Sequence, residues 1–318
     1  MPGTARWLWR EQRHWLLLVA LLLATMIRPF GWFWEIWSAP DSPLSYQMFV
    51  PVGVLLLAAQ EKQRVFDLYR EMAMLFPADS PKRRGKVWPL LLGCVMMVMA
   101  YIMSVPPLAM VAFFLMTIGT IYYIYGPFVT GSLQRPFGFL LAMAPVPNVI
   151  LSESTAKLQQ GCAVVAGHLL YYLNPHVSVT GVLIEVGHYK LEVVGPCSGV
   201  SVVFPVLVLT LWFVLYRRMH LGTSLILLSL SVGISLVMNV LRIVAFGLIG
   251  TVNPVLAEEL HDANSVVFTT LAFYLTFLSA GLLLRRWRRR DPLLTSGYGY
   301  YAPLPEVGND AEKGGSGK

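Results

Sequence analysis

Long apolar runs separated by short polar segments dominate the chain. A helix that crosses a membrane needs about 20 mainly apolar residues, and seven runs approach or exceed that length. They cover residues 14–34, 48–60, 87–105, 107–126, 197–216, 222–249 and 264–284. The second is short, so we expect its helix to begin upstream, near Leu44. An eighth candidate over residues 136–150 is short and contains Pro145 and Pro147. The pattern predicts an all-α, polytopic membrane protein.

The segment over residues 148–196 is too long for a plain connection between two spans. Residues 148–176 combine polar positions with an apolar run, which is typical of a helix lying at the membrane interface. Residues 178–194 then alternate apolar and polar positions, with Gly187 and His188 as a two-residue turn. The segment therefore predicts an interfacial helix and a small β-hairpin before the sixth span.

Composition supports a membrane protein and excludes an ordinary soluble enzyme. Hydrophobic residues make up 56% of the chain and charged residues only 13%, whereas soluble domains have roughly twice that charged share. The net charge of +7 could suggest nucleic acid. In a membrane protein, however, Lys and Arg collect on cytoplasmic flanks, so we expect a lipid bilayer and no nucleic acid as the partner.

The positions of the basic residues predict the orientation of the spans. With the N-terminus inside, the predicted outer segments hold only Arg28, Lys157 and Lys190. If residues 136–150 did not cross, the pair Arg217-Arg218 and the arginine cluster at 285–290 would lie outside, against the usual bias. We therefore expect eight spans with both ends in the cytoplasm.

We expect one membrane-embedded catalytic domain over residues 1–290, with the outer segment at 148–196 and the catalytic helices at 197–284. Residues 291–318 are rich in Gly, Pro and Tyr and predict a disordered cytoplasmic tail. The last five residues of this tail are typical of a cloning linker.

One charged residue does not flank a span. Arg242 is the sole charge between Gly222 and Gly250, about 12 Å below the outer end of its helix at 1.5 Å per residue. A cation at that depth is costly and marks a candidate functional site. Asn239, three residues earlier, shares its helix face and could orient it.

Cys197 follows Pro196, a residue favoured in the first turn of a helix. The N-terminal end of a helix stabilises a thiolate, the nucleophilic form of cysteine, and the small residues Ser198 and Gly199 would let a peptide backbone approach. The alternative is a buried, inert cysteine, which is our interpretation of Cys94.

His261 lies in the predicted outer loop between the last two spans, beside Glu258, Glu259 and Asp262. Neighbouring carboxylates could fix its tautomer or raise its pKa, as a general base requires; the alternative is a solvated loop histidine. The predicted topology places Cys197, Arg242 and His261 in the outer half of three consecutive helices, which favours a shared site.

The remaining cysteine and histidines on the predicted outer side are Cys162, His168, His176 and His188. No pair has a standard metal-ligand spacing, so we expect neither a metal nor another cofactor. A disulfide between Cys162 and Cys197 is possible in an oxidising compartment and would abolish a thiolate mechanism.

Three sequence blocks resemble a known family. GPCSGVS at 195–201, NVLRI at 239–243 and HDANSVVF at 261–268 are similar to the signature blocks of the exosortase and archaeosortase family. DSPLSYQMFVPVGVLLL and FLLAMAPVPNVI also resemble earlier segments of that family, so the resemblance covers residues 40–285. Val200 and Ser201 follow Gly199 where many members have Leu-Arg, which leaves the target motif open.

The resemblance implies a cysteine protease or transpeptidase of the bacterial cytoplasmic (inner) membrane, with its active site on the extracytoplasmic side. Its substrates would be secreted proteins that carry a C-terminal sorting signal made of a short motif, one transmembrane helix and a basic cluster. By resemblance Cys197 is the nucleophile, His261 the general acid and base, and Arg242 the cation that stabilises the thiolate or oxyanion. Supporting or substrate-binding positions are Asn239, Ser198, Gly199, Asp262 and Asn264.

Two other classes of protein remain open from the sequence. A transporter would use Arg242 to bind an anion and the outer segment as a lid. A membrane enzyme that modifies lipid or polysaccharide would carry an acyl chain rather than a peptide on Cys197.

Overall fold

The computed structural model describes residues 27–38, 44–76, 85–143, 148–193 and 199–290, together with Ala24 and Ser42. Most of these residues are helical. The helices are α1 (Ile27–Ser38), α2 (Val50–Leu75), α3 (Trp88–Met103), α4 (Pro106–Ser132), α5 (Gln134–Leu140), α6 (Asn148–Leu173), α7 (Val200–Tyr216), α8 (Leu221–Val252) and α9 (Pro254–Arg290). Short 3₁₀ helices cover Ser45–Phe49 and Leu141–Met143.

Among the described residues, three helical stretches are long and apolar enough to cross a membrane. They are Pro106–Ser132, Leu221–Val252 and Val266–Arg285, and two shorter apolar helices are Trp88–Met103 and Val200–Tyr216. The prediction of a helical, multi-pass membrane protein is thus confirmed. The number of eight spans and their orientation stay predictions. Most of the first predicted span, 14–34, lies outside the described residues, and α1 overlaps its end.

The second predicted span is longer than its apolar run. Its helix is preceded by the 3₁₀ turn beginning at Ser45, close to the expected Leu44, and Pro51 lies in its first turn. The helix continues past Glu61 to Leu75, and the buried Glu61 carboxylate is paired with two arginines. The end of the apolar run at residue 60 therefore does not mark the end of α2, which lies at Leu75.

The described part of residues 136–150 is not a single α-helix. The described part consists of α5 and the 3₁₀ turn Leu141–Met143, and α6 begins at Asn148 after four residues outside the described set. Seven helical residues extend about 10 Å, whereas the hydrocarbon core is about 30 Å thick.

Close contacts at glycines hold the N-terminal helices together. A Cβ on Gly53 would meet the Phe139 ring at 2.5 Å and the Trp212 ring at 2.9 Å, so α2 lies directly against α5 and α7. The Trp212 indole also donates a hydrogen bond to the Gly53 carbonyl at 3.2 Å. Small residues permit this close backbone approach between helices.

The predicted hairpin is a three-stranded antiparallel sheet, so the prediction missed one strand. The strands are β1 (Val177–Thr180), β2 (Leu183–Val186) and β3 (Tyr189–Glu192), in the order β1-β2-β3. The predicted turn at Gly187 and His188 connects β2 to β3, and Gly187 has a positive φ of 59°. A second two-residue turn, beginning at Gly181, splits the expected first strand.

The sheet packs on α6 and α8 through a shared apolar core. Its fully buried members include Ala166, Leu170, Ile184, Val186, Val193 and Ile243. Gly167 of α6 lies against the Val179 side chain, and Gly250 of α8 lies under the Tyr189 ring. The predicted helix over 148–176 is confirmed as a helix; its place at a membrane interface stays a prediction.

The connection between the last two helices is much shorter than predicted. Asn253 alone separates α8 from α9, so His261 lies in a helix and not in a loop. The Asn253 side chain accepts a hydrogen bond from the Leu256 N–H at 3.2 Å, and Pro254 is the first helical residue. This Asn-Pro start is a standard N-cap signal.

By its internal contacts the chain divides into a unit ending at Thr276 and a unit beginning at Phe277. The described part of the second unit is the C-terminal end of α9, Phe277 to Arg290. One catalytic domain over residues 1–290 stays a prediction. The predicted tail at 291–318 lies outside the described residues.

Candidate active site

Helix α7 begins three residues later than its sequence suggests. Gly199 is its N-cap, with φ 83° and ψ −27°, and the Gly199 carbonyl accepts hydrogen bonds from the N–H groups of Val202 and Val203 at 3.1 and 2.9 Å. A left-handed conformation favours glycine. The described helix therefore starts at Val200, and Cys197 precedes its N-cap by two residues in the chain. Cys197 and Ser198 themselves lie outside the described residues.

Gly199 lies against Asn239 of α8. A Cβ on Gly199 would be 3.1 Å from the Asn239 Nδ2 atom and 3.7 Å from the Cys162 Sγ atom of α6. The first two signature blocks, which are 40 residues apart in the chain, thus touch at Gly199 and Asn239. This contact brings Gly199, the last residue of the GPCSG sequence, to the helix face that carries Arg242.

Arg242 and Asn239 are buried in the interior of the protein. The relative exposure is 1% for Arg242 and 0% for Asn239, and the two lie one turn apart on the inward face of α8. Their neighbours Ile243 and Phe246 belong to the apolar core beneath the sheet. An arginine held at this depth is costly unless the protein provides for it, so its burial indicates a built polar site.

The helix that carries His261 packs against the same two helices. Val202 and Val206 of α7, Met238 of α8 and Ala272 of α9 form one buried apolar cluster, and Phe268 of α9 packs against it. Phe268 follows His261 by seven residues, or about 10 Å of helix. The structure thus brings together the helices that follow or carry all three blocks.

Of the predicted site residues, the structure describes the side chains of Arg242 and Asn239 and the backbone of Gly199. The helix positions of His261, Asp262 and Asn264 are described, but their side chains lie outside the described set, as do Cys197 and Ser198. Their contacts to one another stay predictions.

Cys162, for which the sequence left open a disulfide with Cys197 but no catalytic role, lies near this site. It is 5% exposed, a free cysteine, and packs in the core beneath the sheet. Its contact with Gly199 joins residues far apart in sequence, and the signals in the chain were its position in the predicted outer segment and the possible pairing with Cys197. Among the described side chains, no three His, Cys, Asp or Glu groups lie close enough to hold a metal ion.

Comparison with known proteins decides the family. Residues 37–278, most of the chain, match the family model described as transmembrane exosortase. The chain belongs to the transmembrane exosortase family. The match contains all three signature blocks and confirms the resemblance seen in the sequence. No curated protein matches the chain significantly, and neither does any solved structure.

Because the chain is an exosortase, the contact between Gly199 and Asn239 bears on where its active site lies. Each of these residues belongs to a block that resembles an exosortase signature, and they meet in the buried part of the fold. This contact lies one helical turn from the buried Arg242, which makes the region the candidate active site.

Proposed function

We propose that this exosortase is a thiol protease or transpeptidase that cleaves C-terminal sorting signals of secreted proteins. The contact between Gly199 and Asn239 is the observation that carries the proposal, because it brings the cysteine-bearing loop to the face of the buried Arg242. Cys197 is the nucleophile, His261 the general acid and base, and Arg242 the fixed cation.

The reaction proceeds by acyl transfer to sulfur. The Cys197 thiolate attacks the scissile carbonyl carbon, and a C–S bond forms as the carbonyl oxygen takes up negative charge. Arg242 and backbone N–H groups stabilise that oxyanion. Protonated His261 gives its proton to the leaving nitrogen, the C–N bond breaks, and a thioester remains on Cys197. Water gives hydrolysis of this thioester, and an amine gives transfer.

The supporting residues hold these groups in position. The Asn239 amide lies one helical turn from Arg242 and touches Gly199, so it links the cation to the nucleophile loop. Ser198 and Gly199 leave space for a substrate backbone beside Cys197. Asp262 and Asn264 flank the general base on α9 and orient its imidazole.

The predicted topology gives the location. Lys and Arg concentrate on the segments predicted to be inside, which orients the catalytic residues toward the extracytoplasmic side of a bacterial inner membrane. A substrate there carries a recognition motif outside the membrane, an apolar helix across it and a basic cluster inside.

The test is processing of a co-expressed reporter. The reporter is a secreted protein whose own C-terminal signal, encoded in the same genome, ends in an apolar helix and arginines. We expect Cys197→Ala to abolish its cleavage, while Cys94→Ala, which changes a half-buried cysteine in α3, leaves cleavage unchanged. Unchanged processing by Cys197→Ala would remove the proposal.

A Cys197→Ser variant separates a protease from a lipid- or polysaccharide-modifying enzyme. Serine in place of the thiol gives a more stable ester with the acyl group. We expect mass analysis of the purified variant to show an attached peptide from the reporter. An attached fatty acyl chain would instead assign the enzyme to lipid modification.

A further inference from the structure

Within the part of the chain that the structure describes, the outer edge of strand β3 has backbone groups that no other strand pairs. In the antiparallel register, Glu185 is opposite Lys190 and Leu183 is opposite Glu192. The Val193 N–H donates to the Val182 carbonyl at 2.9 Å, which fixes the alternation of bonded and non-bonded pairs along the ladder. The backbone groups of Lys190 and Glu192 therefore face away from β2.

These outward groups are available. Within the described residues, the backbone N–H and C=O of Lys190 and Glu192 make no hydrogen bond beyond the sheet. Both side chains are exposed. The Lys190 ammonium is drawn across the sheet to the Glu185 carboxylate at 2.8 Å, so it leans toward β2. A lysine on an edge strand often prevents another strand from pairing there, but the Lys190 side chain is held away from the outer edge of β3.

The edge is held at a fixed position beside the candidate active site. Leu191 and Val193 are buried under the sheet, and Tyr189 covers Gly250 of α8. Gly250 follows Arg242 by eight residues on the same helix, or about 12 Å. The edge is thus anchored to the helix that carries the buried cation.

The chain leads from this edge directly to the proposed nucleophile. Cys197 is the fourth residue after Val193, and a fully extended chain of four residue steps spans at most about 14 Å. A peptide paired along β3 would therefore end within a few residues of the Cys197 thiol. The opposite edge, on β1, is two strand spacings farther away, or about 10 Å.

We propose that the free edge of β3 binds the substrate as an added β-strand. The occupant is the extended peptide segment that precedes the transmembrane helix of the sorting signal. Backbone hydrogen bonds to Lys190 and Glu192 give affinity and place the scissile bond at Cys197. This inference rests on the proposed function and adds the binding mode of its substrate.

Proline substitution tests the edge directly. Glu192→Pro removes one outward N–H without removing a bond to β2, and proline is tolerated on strand edges. We expect the KM for the reporter to rise about tenfold, as loss of a backbone hydrogen bond predicts, with little change in kcat. Glu192→Ala keeps the N–H and should retain the wild-type KM.

Val177→Pro is the matched control on the opposite edge. Val177 begins β1 and its backbone faces away from β2, since Ser178 and Thr180 hold the bonded positions. We expect no change in KM. Equal KM values for Glu192→Pro and Glu192→Ala would overturn the inference, and so would an equal rise for Val177→Pro.

Hydrogen exchange gives a readout that needs no change in the sheet. Full-length Cys197→Ala protein is purified with the uncleaved reporter bound, and amide exchange is compared with the free protein. We expect slower exchange at Lys190 and Glu192 and no change at Val177 and Val179. Unchanged exchange at Lys190 and Glu192 would overturn the inference.

The two proposals fail in different ways. If wild-type protein and Cys197→Ala process the reporter equally, the proposed function fails and the inference fails with it. If cleavage requires Cys197 but the β3 amides stay unprotected, only the edge-binding mode is wrong.

Discussion

The Glu61 carboxylate lies 2.9 Å from the Arg135 guanidinium and is 1% exposed. Arg218, just after α7, reaches the same carboxylate at 3.3 Å. One buried acid on α2 thus connects α5 and the C-terminal end of α7. Helix α7 begins at Val200, close to Cys197 in the chain. The pairing of Glu61 with Arg218 therefore holds the opposite end of a helix on which the candidate active site depends.

We expect Glu61→Gln to destabilise the protein by about 3 kcal/mol. Removing one partner of a buried ion pair leaves an uncompensated charge, which typically costs 3–5 kcal/mol, and the partial exposure of Arg218 favours the lower end. Thermal unfolding of the purified protein in detergent would show a lowered midpoint.

Glu153→Gln is the control for that measurement. Glu153 pairs with Lys157 at 2.8 Å on the surface of α6, and both side chains are exposed. Such pairs contribute about 0.5 kcal/mol or less, so the midpoint should stay near the wild-type value. A similar fall for both variants would show that burial of Glu61 is not the cause.

Gly199→Ala should lower processing by about tenfold or more. A side chain at φ 83° costs roughly 1–2 kcal/mol, and its Cβ would press on the Asn239 amide at 3.1 Å. The loop that carries Cys197 must then shift, and 1.4 kcal/mol corresponds to a tenfold change in rate. Initial cleavage rates at equal protein levels measure the effect.

Gly233→Ala provides the matched comparison within α8. Outside its own stretch of helix, no atom of the described residues lies within 4 Å of the position that its Cβ would take, and alanine is favoured over glycine inside a helix by up to about 1 kcal/mol. Processing should be unchanged. Wild-type processing by Gly199→Ala as well would show that the contact with Asn239 is not needed.

The sequence predicted those elements whose signal is local. The apolar run at 222–249 predicted α8 to within three residues at either end, and a lone arginine within it predicted a buried polar position, since a charge at that depth must face the interior. Gly187 and His188 predicted their turn because a two-residue turn requires a positive φ that glycine adopts easily.

Features that depend on tertiary contacts were missed or misplaced. Glu61 is buried within α2 and pairs with arginines from two distant segments, and no local pattern indicates such a pairing. The polar residues from Glu258 to Asn264 favoured a loop, whereas the structure has an N-cap at Asn253 and a helix that begins before them. The contact of Gly199 with Cys162 and Asn239 joins three helices and follows only from their packing.

The sheet should have a pH-dependent cross-strand pair. Lys190 and Ser178 lower the pKa of the Glu185 carboxyl by hydrogen bonding and charge, and Glu185 raises the pKa of Lys190. Because the Glu185 pKa is lowered on folding, its contribution is present above about 4.5 and is lost as pH falls through the folded pKa. The Lys190 contribution is present below 10.5 and is lost as pH rises through its raised pKa.

Amide exchange of β2 and β3 measured across pH would detect this pair after correction for intrinsic exchange rates. We expect protection of the wild-type sheet to decrease at the acidic end of the range. Lys190→Met should flatten that decrease, because the Glu185 pKa then returns toward its ordinary value. An identical acidic decrease in both proteins would contradict the pairing.

Arg242→Lys should lower kcat for reporter cleavage by about 100-fold or more while the protein stays folded. Lysine keeps the positive charge but loses the planar group that donates several hydrogen bonds in fixed directions, and loss of one oxyanion donor costs about 10²–10³ in kcat. Arg217→Lys, at the exposed end of α7, is the control and should retain the wild-type rate. A fall in thermal stability that matches the loss of cleavage would instead assign Arg242 to the fold. An anion transporter makes the opposite prediction, since Arg242→Lys would then alter uptake and Cys197→Ala would have no effect.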